Sequence, residues 1–253
     1  MERHGSVSSI LSHTSLQYEF NHLDIHANCP EKIILCIDLD AQVEATPVKS
    51  KDRGGVSMLT VWKNALELFV WNKHHLSKDH EFAVVILRDK AEWFCNFNSD
   101  PNEVVTVINQ LEAVDEKYDS FDTASLYSII HQNSCPPPPT DNPLLPPPYT
   151  VRAIMFYSRT NSMPIYQGDV VAHDQLMESP YFFLDILYSH EPPSPSNMCK
   201  GIFDILAELY PKPKALVLDW SYNVSQLFNN FSKLLAHPMQ RPFQPHMDHK
   251  LIH

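Results

Sequence analysis

The chain has 253 residues, of which 19 are Lys or Arg and 30 are Asp or Glu, so its formal net charge is −11. This acidic balance, without a long Lys/Arg run, argues against direct binding to a nucleic-acid backbone. The five glycines form neither G-x-G-x-x-G nor G-x-x-x-x-G-K, which excludes the common dinucleotide and P-loop phosphate sites. An odd number of cysteines without a C-x-x-C pair predicts reduced thiols inside the cell, and no apolar stretch approaches the roughly 20 residues of a membrane span.

The first part of the chain predicts alternating strands and helices. A continuous apolar run at 32–38 is typical of a strand that is buried on both faces of a parallel sheet. An apolar stripe with three- and four-residue spacing predicts a helix over about 57–74. The run at 82–87 predicts the next strand, and aromatic residues at 92–97 predict a short strand that pairs with it as a hairpin. The sheet is therefore expected to be mixed.

Residues near Asp100 and Asp122 indicate the starts of two helices. Asp100 is a capping residue, Pro101 stands at the first helical position and Glu103 at the third, before apolar residues at helical spacing. Asp122 precedes a second apolar stripe, which predicts a helix that ends near His131. These signals place two helices after the predicted hairpin.

The second half of the chain continues the alternation. Apolar runs at 151–157, 181–188 and 215–219 predict three further strands. Apolar stripes between and after them predict helices, the weakest over 175–178 and the strongest from Val224 to Leu235. Strands and helices in this order predict an α/β fold: a doubly wound, mostly parallel sheet with helices on both faces and one antiparallel edge strand.

Three segments lie outside this pattern. Residues 1–28 are rich in Ser and His and predict a poorly ordered N-terminal segment. Residues 135–148 hold eight of the 21 prolines and predict an extended polyproline insertion within one domain that covers 29–237. Residues 238–253 begin with a proline after a helix and predict an extended C-terminal tail.

The clearest concentration of carboxylates at a predicted strand end is Asp38 with Asp40. Because ligands bind at the carboxyl ends of strands in open α/β sheets, the pair predicts a site for a hard divalent cation if hydroxyls and a further acid complete an oxygen shell. The alternative is that both carboxylates accept hydrogen bonds from loop backbones and face water. The 14 histidines form no H-E-x-x-H motif, and the sequence has no G-x-S-x-G and no recognisable cysteine nucleophile. No catalytic residue is therefore predicted.

The acid at the end of the first strand, the helical pattern and the turn Asp122-Thr-Ala-Ser-Leu126 resemble a von Willebrand factor A domain. Within that fold the chain is most similar to the MERIT subunit family of the BRISC and BRCA-A deubiquitinase complexes. The segments that carry this resemblance follow one order along the chain: 28–39, 77–84, 99–101, 146–152, 180–183 and 234–242. The last of them, Leu-Leu-Ala-His-Pro-Met-Gln-Arg-Pro, is the most specific.

The resemblance implies a non-catalytic scaffold subunit that needs no cofactor. Such subunits hold together an assembly in which a metalloprotease subunit cleaves lysine-sixty-three-linked polyubiquitin, alongside an Abraxas-type subunit and a BRE-type subunit of ubiquitin-conjugating-enzyme-variant fold. The BRE-type subunit is the expected direct partner. The family works in cytosolic cytokine-receptor signalling and in nuclear DNA double-strand-break repair, so cytoplasm and nucleus are the expected locations, with neither membrane nor nucleic acid as a direct partner.

The resemblance also implies a place for a metal-ion-dependent adhesion site, whose pattern is Asp-x-Ser-x-Ser with a later Thr and Asp. Asp38 fits the first position, but Asp40 and Gln42 replace the two serines. Thr123 matches the Thr, and Ser158 stands where the later Asp is expected. Lost hydroxyls and a displaced carboxylate change both the charge and the geometry, so we expect a vestigial site that binds no metal.

Two other functions stay open beside the scaffold. A ubiquitin-receptor adaptor would need an acidic ubiquitin-interacting helix after the domain, and the sequence shows no such helix there. A metal-dependent adhesion module is disfavoured by the altered site positions and by the reduced cysteines. The scaffold is therefore the leading interpretation.

Pro238, Gln240, Arg241 and Pro242 are the predicted partner-binding residues. Prolines lower the ordering cost of an extended segment, and the planar guanidinium of Arg241 suits a carboxylate or carbonyl cluster in a groove. The resemblance points to the BRE-type subunit as the partner, whereas composition alone is also compatible with a frayed, solvated terminus. On this expectation the Arg241 side chain belongs to the interface, and the domain stays folded without it.

Overall fold

The computed structural model describes residues 29–45, 47–48, 55–139, 145–212, 215–221 and 224–241. The predicted N-terminal segment 1–28 lies outside the described residues, as does the part of the predicted tail beyond Arg241. Within the described ranges, no helix is both long and apolar enough to cross a membrane.

Strands and helices alternate along the described chain. The strands are β1 (Glu31–Asp38), β2 (Pro47–Val48), β3 (Val56–Ser57), β4 (Glu81–Leu87), β5 (Ala91–Asn98), β6 (Ser120–Asp122), β7 (Thr150–Tyr157), β8 (Met163–Ile165), β9 (Phe182–Ser189) and β10 (Val217–Trp220). The helices are α1 (Gln42–Ala45), α2 (Met58–Leu76), α3 (Pro101–Gln110), α4 (Thr123–Asn133), α5 (Val171–Glu178), α6 (Cys199–Glu208) and α7 (Val224–Leu235), followed by a 3-10 helix at Pro238–Gln240. Each strand and helix predicted from the sequence is present, with bounds that differ by a few residues.

Six of the strands form the central sheet, in the order β10-β9-β7-β1-β4-β5. Neighbours in this sheet are parallel except β4 and β5, which pair as an antiparallel hairpin at one edge. In the register of the sheet, Asp38 of β1 lies beside Leu87 of β4, and Glu31 lies beside Thr150 of β7. The predicted fold class, a mostly parallel α/β sheet with one antiparallel edge strand, is confirmed.

Helices cover both faces of the sheet because the central strands are apolar on both sides. Along β1, Ile33, Leu35 and Ile37 pack with α2, α3 and α7 on one face. Ile34 and Cys36 pack with α4, α5 and α6 on the other face. All five side chains are fully buried, as expected for residues that alternate between the two faces of a covered strand.

Two helix starts have side-chain caps, and the sequence predicts the one at Asp100. Asp100 precedes α3 and accepts a hydrogen bond from the Asn102 N–H, with Pro101 in the first turn. Asp122 precedes α4 and accepts one from the Ala124 N–H. Each cap satisfies one of the N–H groups that a helix start leaves without an intrahelical partner.

The sequence patterns do not predict the shortest elements. Helix α1 spans four residues, β2 pairs antiparallel with β3 over two residues, and β6 pairs in parallel with β8 over three. Elements of this length are too short to show a hydrophobic period. The pairing of β6 with β8 brings Asp122 beside Ile165 at the carboxyl end of the main sheet.

The proline-rich segment lies between α4 and β7, and its described parts contain neither helix nor strand. Pro137 and Pro147 are nevertheless buried, and the Tyr149 hydroxyl donates to the Cys135 carbonyl over 2.9 Å. β7, which follows the segment in the chain, pairs with β1, which precedes it. The segment is therefore an insertion within one sheet and does not separate two sheets.

The C-terminal boundary differs from the prediction. Helix α7 ends at Leu235, but the next residues do not leave the domain as an extended tail. Pro238 and Met239 are buried within the 3-10 helix, and Arg241 is only 6% exposed. The domain therefore extends at least to Arg241, because the apolar and charged side chains of this segment find their contacts inside it.

Removing the Asp100 cap tests the helix start of α3. Asp100→Ala leaves the Asn102 N–H without its side-chain acceptor, and we expect the free energy of unfolding to fall by about 1 kcal/mol. Urea denaturation followed by circular dichroism measures this loss. Asp100→Ser is the matched control, because a Ser hydroxyl accepts the same bond and should preserve most of the stability. Equal losses in the two variants would contradict the capping role.

Candidate functional site

The carboxyl end of the sheet brings together the residues predicted for the vestigial adhesion site. They meet because β1 and β7 are parallel neighbours, so both strands end at the same edge of the sheet. Asp38 is the last residue of β1, Asp40 and Gln42 lie at the turn into α1, Thr123 begins α4, and Ser158 follows β7. Both aspartates are fully buried.

The guanidinium of Arg159 lies at this edge, in contact with Asp38. Its Nε and Nη2 donate to Asp38 Oδ1 over 3.0 and 2.9 Å, and its Nε also lies 3.3 Å from Asp38 Oδ2. Its Nη1 donates to the Ser120 carbonyl over 3.3 Å, and its Nη2 donates to the Arg88 carbonyl. Arg159 is itself fully buried. One side chain therefore joins the end of β1, the residue after β4 and the start of β6.

Backbone N–H groups satisfy the remaining carboxylate oxygens. The Ser158 N–H donates to Asp38 Oδ2 over 3.1 Å. Asp40 accepts from the Tyr118 N–H over 2.7 Å and from the Gln42 N–H over 2.9 Å. Both carboxylates are thus paired or hydrogen-bonded within the chain, which is the condition under which a buried charge is tolerated.

The polar side chains at the other site positions do not form an oxygen shell. Gln42 Oε1 accepts from the Thr160 N–H over 3.0 Å and from Thr160 Oγ1 over 3.1 Å. Thr123 Oγ1 donates to the Ile165 carbonyl over 3.1 Å. The Ser158 hydroxyl is buried and has no hydrogen-bond partner within the described residues. One neutral hydroxyl falls far short of the six or so oxygen ligands of a hard divalent cation.

Three aromatic rings lie near the guanidinium carbon of Arg159. Its Cζ is 5.4 Å from the ring centre of Tyr157, 5.5 Å from that of Tyr118 and 5.6 Å from that of Phe121. Burial lowers the pKa of Arg159, but Asp38, Tyr157 and Asp40 together outweigh burial and raise that pKa above its ordinary value. A metal ion would be repelled by this permanent charge, so the residues present do not fit an adhesion-site metal. In the described part of the chain, no three His, Cys, Asp or Glu side chains are arranged to hold a metal ion.

A second buried charge cluster lies at the amino end of the same sheet. Glu31 begins β1, Arg152 lies in β7 and Asp185 in β9, and all three are fully buried. Each stands two positions before an apolar residue on the face that α2, α3 and α7 cover, so they share that face. Arg152 Nε donates to Asp185 Oδ2 over 2.8 Å, and Arg152 Nη1 donates to Glu31 Oε2 over 3.1 Å. The ammonium of Lys73 in α2 pairs with the other oxygen of Glu31.

Arg241 is the third cation of this cluster, which corrects the expectation that its guanidinium is presented to a partner. Its Nη1 donates to Asp185 Oδ1 over 2.7 Å and its Nη2 to Asp185 Oδ2 over 2.8 Å. Its Nε and Nη2 also donate to the Ala236 carbonyl over 3.3 and 3.2 Å. The two-pronged pairing that makes arginine specific for a carboxylate is therefore made inside the chain's own domain.

The other predicted partner-binding residues differ in their exposure. Pro238 is buried, whereas the Gln240 side chain is exposed. Pro242 lies outside the described residues. Partner binding by this segment stays a prediction, with Gln240 as the position at which the described structure presents a side chain on the surface.

Two buried histidines flank Glu31. The Nδ1 of His80 accepts from the Glu31 N–H over 2.9 Å, and the Nδ1 of His237 accepts from the Met239 N–H over 3.2 Å, so we assign the proton of each neutral ring to Nε2. Burial, assisted by the charge of Lys73, lowers the pKa of His80 to about 4. Burial also lowers the pKa of His237 to about 4, although Glu31 acts in the opposite direction. Both rings are therefore neutral at pH 7.

The charge balance of the cluster explains why these histidines stay neutral. Lys73, Arg152 and Arg241 already face two carboxylates, so a protonated histidine would add a further cation to a dry site. Burial alone would raise the pKa of Glu31, but Lys73 and Arg152 outweigh it and hold that pKa at about 2. Burial raises the pKa of Cys29, which lines an adjacent cleft of about 540 Å³, to about 11. The Cys29 thiol is thus no nucleophile at neutral pH.

Sequence reasoning missed Arg159 in the first cluster. It also missed four residues of the second cluster: Glu31, Lys73, Arg152 and Asp185. A usable signal existed for Arg152 and Asp185, since each is a charged residue inside an otherwise apolar strand. Lys73 and Glu31 carry a weaker signal because they lie near the ends of their elements. Arg159 carries none, since it follows a strand, where a charged side chain commonly faces water.

Truncating Arg241 tests the internal ion pair. Arg241→Ala removes one cation from a buried cluster, and we expect the free energy of unfolding to fall by about 3 kcal/mol. Arg241→Lys keeps the charge but loses the two-pronged geometry, so it should lose less. Chemical denaturation of the purified chain measures both losses. Lys233→Ala, at an exposed position of α7, is the control; an Arg241→Ala protein as stable as this control would contradict the buried pair.

The two buried histidines predict a specific dependence of stability on pH. Their folded-state pKa of about 4 lies below the ordinary value of 6.5, so the unfolded chain binds protons first as the pH falls. The free energy of unfolding should therefore decrease from pH 6.5 towards pH 4, by up to about 1.4 kcal/mol per pH unit for each histidine.

His80→Gln tests this assignment, because the Gln carbonyl can still accept the Glu31 N–H but cannot titrate. Denaturation at a series of pH values should give a shallower decrease for His80→Gln than for the unmodified chain. His75→Gln, at an exposed position of α2, should keep the original slope. Identical slopes in all three proteins would show that His80 is not held neutral by the fold.

No protein-family model matches the chain, but whole-sequence relatives are clear. The BRISC and BRCA1-A complex member 1 of Xenopus laevis is 35% identical over 243 residues, which cover 92% of this chain and 71% of that protein. The human protein of the same name is 32% identical over 234 residues, which cover 89% of this chain and 69% of that protein. The similarity thus covers about nine tenths of this chain.

The solved structures that resemble this one include a von Willebrand factor type A protein. A von Willebrand factor type A protein from Catenulispora acidiphila superposes with a TM-score of 0.55 at 13% identity, covering 83% of this chain and 43% of that chain. BatB from Bacteroides thetaiotaomicron gives a TM-score of 0.53 at 11% identity, covering 81% and 98%. Proximal thread matrix protein 1 of the mussel byssus, with a zinc-occupied MIDAS motif, gives 0.54 at 10% identity, covering 84% and 47%.

At these low identities the solved structures show the fold alone, and the sequence relatives carry the family. Together with the sheet order and the antiparallel edge strand, they establish that the chain is a von Willebrand factor A domain protein that belongs to the BRISC and BRCA1-A complex member 1 family.

Proposed function

We propose that the chain is a non-catalytic scaffold subunit of a deubiquitinase complex of the BRISC or BRCA1-A type. The observation that carries this proposal is the 35% identity over 92% of the chain to a protein named as a member of those complexes. In this proposal a separate metalloprotease subunit cleaves lysine-sixty-three-linked polyubiquitin, and the present chain holds subunits together. In the BRISC type it acts in the cytoplasm. In the BRCA1-A type it acts in the nucleus, in DNA double-strand-break repair.

The geometry of both charge clusters supports a structural role. At the carboxyl end of the sheet, where open α/β folds bind their ligands, Asp38 is paired with Arg159 and Asp40 is hydrogen-bonded to backbone. At the amino end, Glu31 and Asp185 are paired with buried cations. Charged groups that are used to hold the fold together are not available to bind or activate a substrate.

We propose the BRE-type subunit as the direct partner and the segment around Gln240 as part of the contact. The Arg241 pair with Asp185 fixes the point at which the chain continues towards Pro242. A partner that binds beyond this point meets a segment with one end already held, so less conformational entropy is lost on binding. The Abraxas-type and metalloprotease subunits belong to the same assembly without a proposed contact to this chain.

The experiment is co-expression with the BRE-type subunit followed by affinity capture. Ending the chain after Arg241 keeps the internal ion pair and removes the rest of the tail, so the domain should fold while capture falls strongly. The full chain with Gln240→Ala should lose part of the binding, and Lys233→Ala should lose none. Full capture of the shortened chain would place the binding surface on the domain itself.

A second measurement tests the non-catalytic part of the proposal. The purified chain, incubated with lysine-sixty-three-linked polyubiquitin, should release no ubiquitin over the time in which a metalloprotease deubiquitinase consumes the substrate. Cleavage that co-purifies with the folded chain and disappears in a single-residue variant would contradict the scaffold function.

A further inference from the structure

We infer that Arg159 is a built-in cation, whose guanidinium takes the position at the carboxyl edge of the sheet that a divalent metal occupies in a von Willebrand factor A adhesion site. The stability of this edge therefore does not depend on a metal ion, and a carboxylate ligand cannot reach the cation. This inference concerns the domain's own chemistry and does not rest on the proposed function.

The bonding pattern of Arg159 is that of a central ion. A bound metal ties loop ends together by accepting oxygen ligands from each of them. Arg159 ties loop ends together by donating N–H groups. They donate to the Asp38 carboxylate, which lies 121 positions earlier in the sequence, and to the carbonyls of Ser120 and Arg88. The loop that carries Arg159 is in turn held by the Ser158 N–H on Asp38.

The surroundings of Arg159 suit a guanidinium better than a metal. The faces of Tyr118, Phe121 and Tyr157 lie 5.4 to 5.6 Å from its Cζ, a distance at which aromatic rings attract an organic cation. Phenyl and phenol ring faces are not ligands for Mg²⁺ or Mn²⁺, which take carboxylate, carbonyl and water oxygens. The aromatic residues thus replace part of the oxygen shell that the site has lost.

Burial closes the edge to an external ligand. A carboxylate ligand could bind at this edge only if it could reach the guanidinium from solvent. Arg159, Asp38 and Asp40 are all 0% exposed. An acidic side chain of a partner therefore has no access to this cation, and recognition by the domain must use other surfaces.

The test is thermal denaturation of the full chain with and without Mg²⁺, Mn²⁺ or a chelator. The melting temperature of the unmodified chain should not respond to any of them. Arg159→Ala leaves the buried Asp38 carboxylate without its cation, so the melting temperature should fall and should then rise with increasing Mn²⁺ concentration. Arg159→Lys, which restores a cation, should recover part of the loss and show no metal response. A metal response of the unmodified chain, or none in a folded Arg159→Ala protein, would overturn the inference.

A second comparison covers the case in which Arg159→Ala does not fold. Asp38→Asn and Arg159→Met together remove both members of the ion pair, so neither is left buried without its partner, and this double variant should be more stable than either single variant. The expected result is a higher midpoint of denaturation for the double variant than for Arg159→Met alone. A double variant that is less stable than both single variants would show that the two groups act separately and would overturn the inference.

Discussion

Asp185 is paired with Arg152 and Arg241 in a buried network that joins the central sheet to the C-terminal segment. Asp185 lies in a fully buried strand, where an unpaired carboxylate would be costly, and two guanidinium groups hold its pKa below the ordinary value although burial acts in the opposite direction. Arg152 extends the network to Glu31 and so joins three neighbouring strands. A buried network of this kind contributes little net stability, but breaking one member of it is expensive, so it fixes a single arrangement of strands and C-terminal segment.

A buried pair of a guanidinium and a carboxylate lies at each end of the sheet. At the amino end Arg241 reaches a carboxylate of β9, and at the carboxyl end Arg159 reaches Asp38 at the end of β1. In each case a guanidinium joins elements that are distant in sequence and needs no external ligand. At the carboxyl end, where open α/β sheets bind ligands, the Arg159 side chain therefore takes the place of an external ligand. Such a domain suits a role in which its outer surfaces contact other subunits.

The sequence was sufficient to predict the layers of the fold but not its buried ion pairs. A run such as 32–38 predicts its strand because burial on both faces selects apolar residues without interruption, and the start of α3 needs only Asp100 and its neighbours. Arg159 and Arg241 are 121 and 56 positions from their carboxylates. A charged residue at the end of an element satisfies the local pattern whether it faces water or the core. Only the packing of strands and helices decides between these two environments.

A double-mutant cycle between Asp185 and Arg241 measures the energy of the ion pair that joins β9 to the C-terminal segment. The free energy of unfolding is measured for the unmodified chain, Asp185→Asn, Arg241→Met and the double variant. If the two side chains form one buried pair, the sum of the single losses exceeds the loss in the double variant by about 2 kcal/mol, within the range found for residues in direct contact. Losses that add to within about 0.5 kcal/mol would show that Asp185 and Arg241 act independently, and would contradict the account.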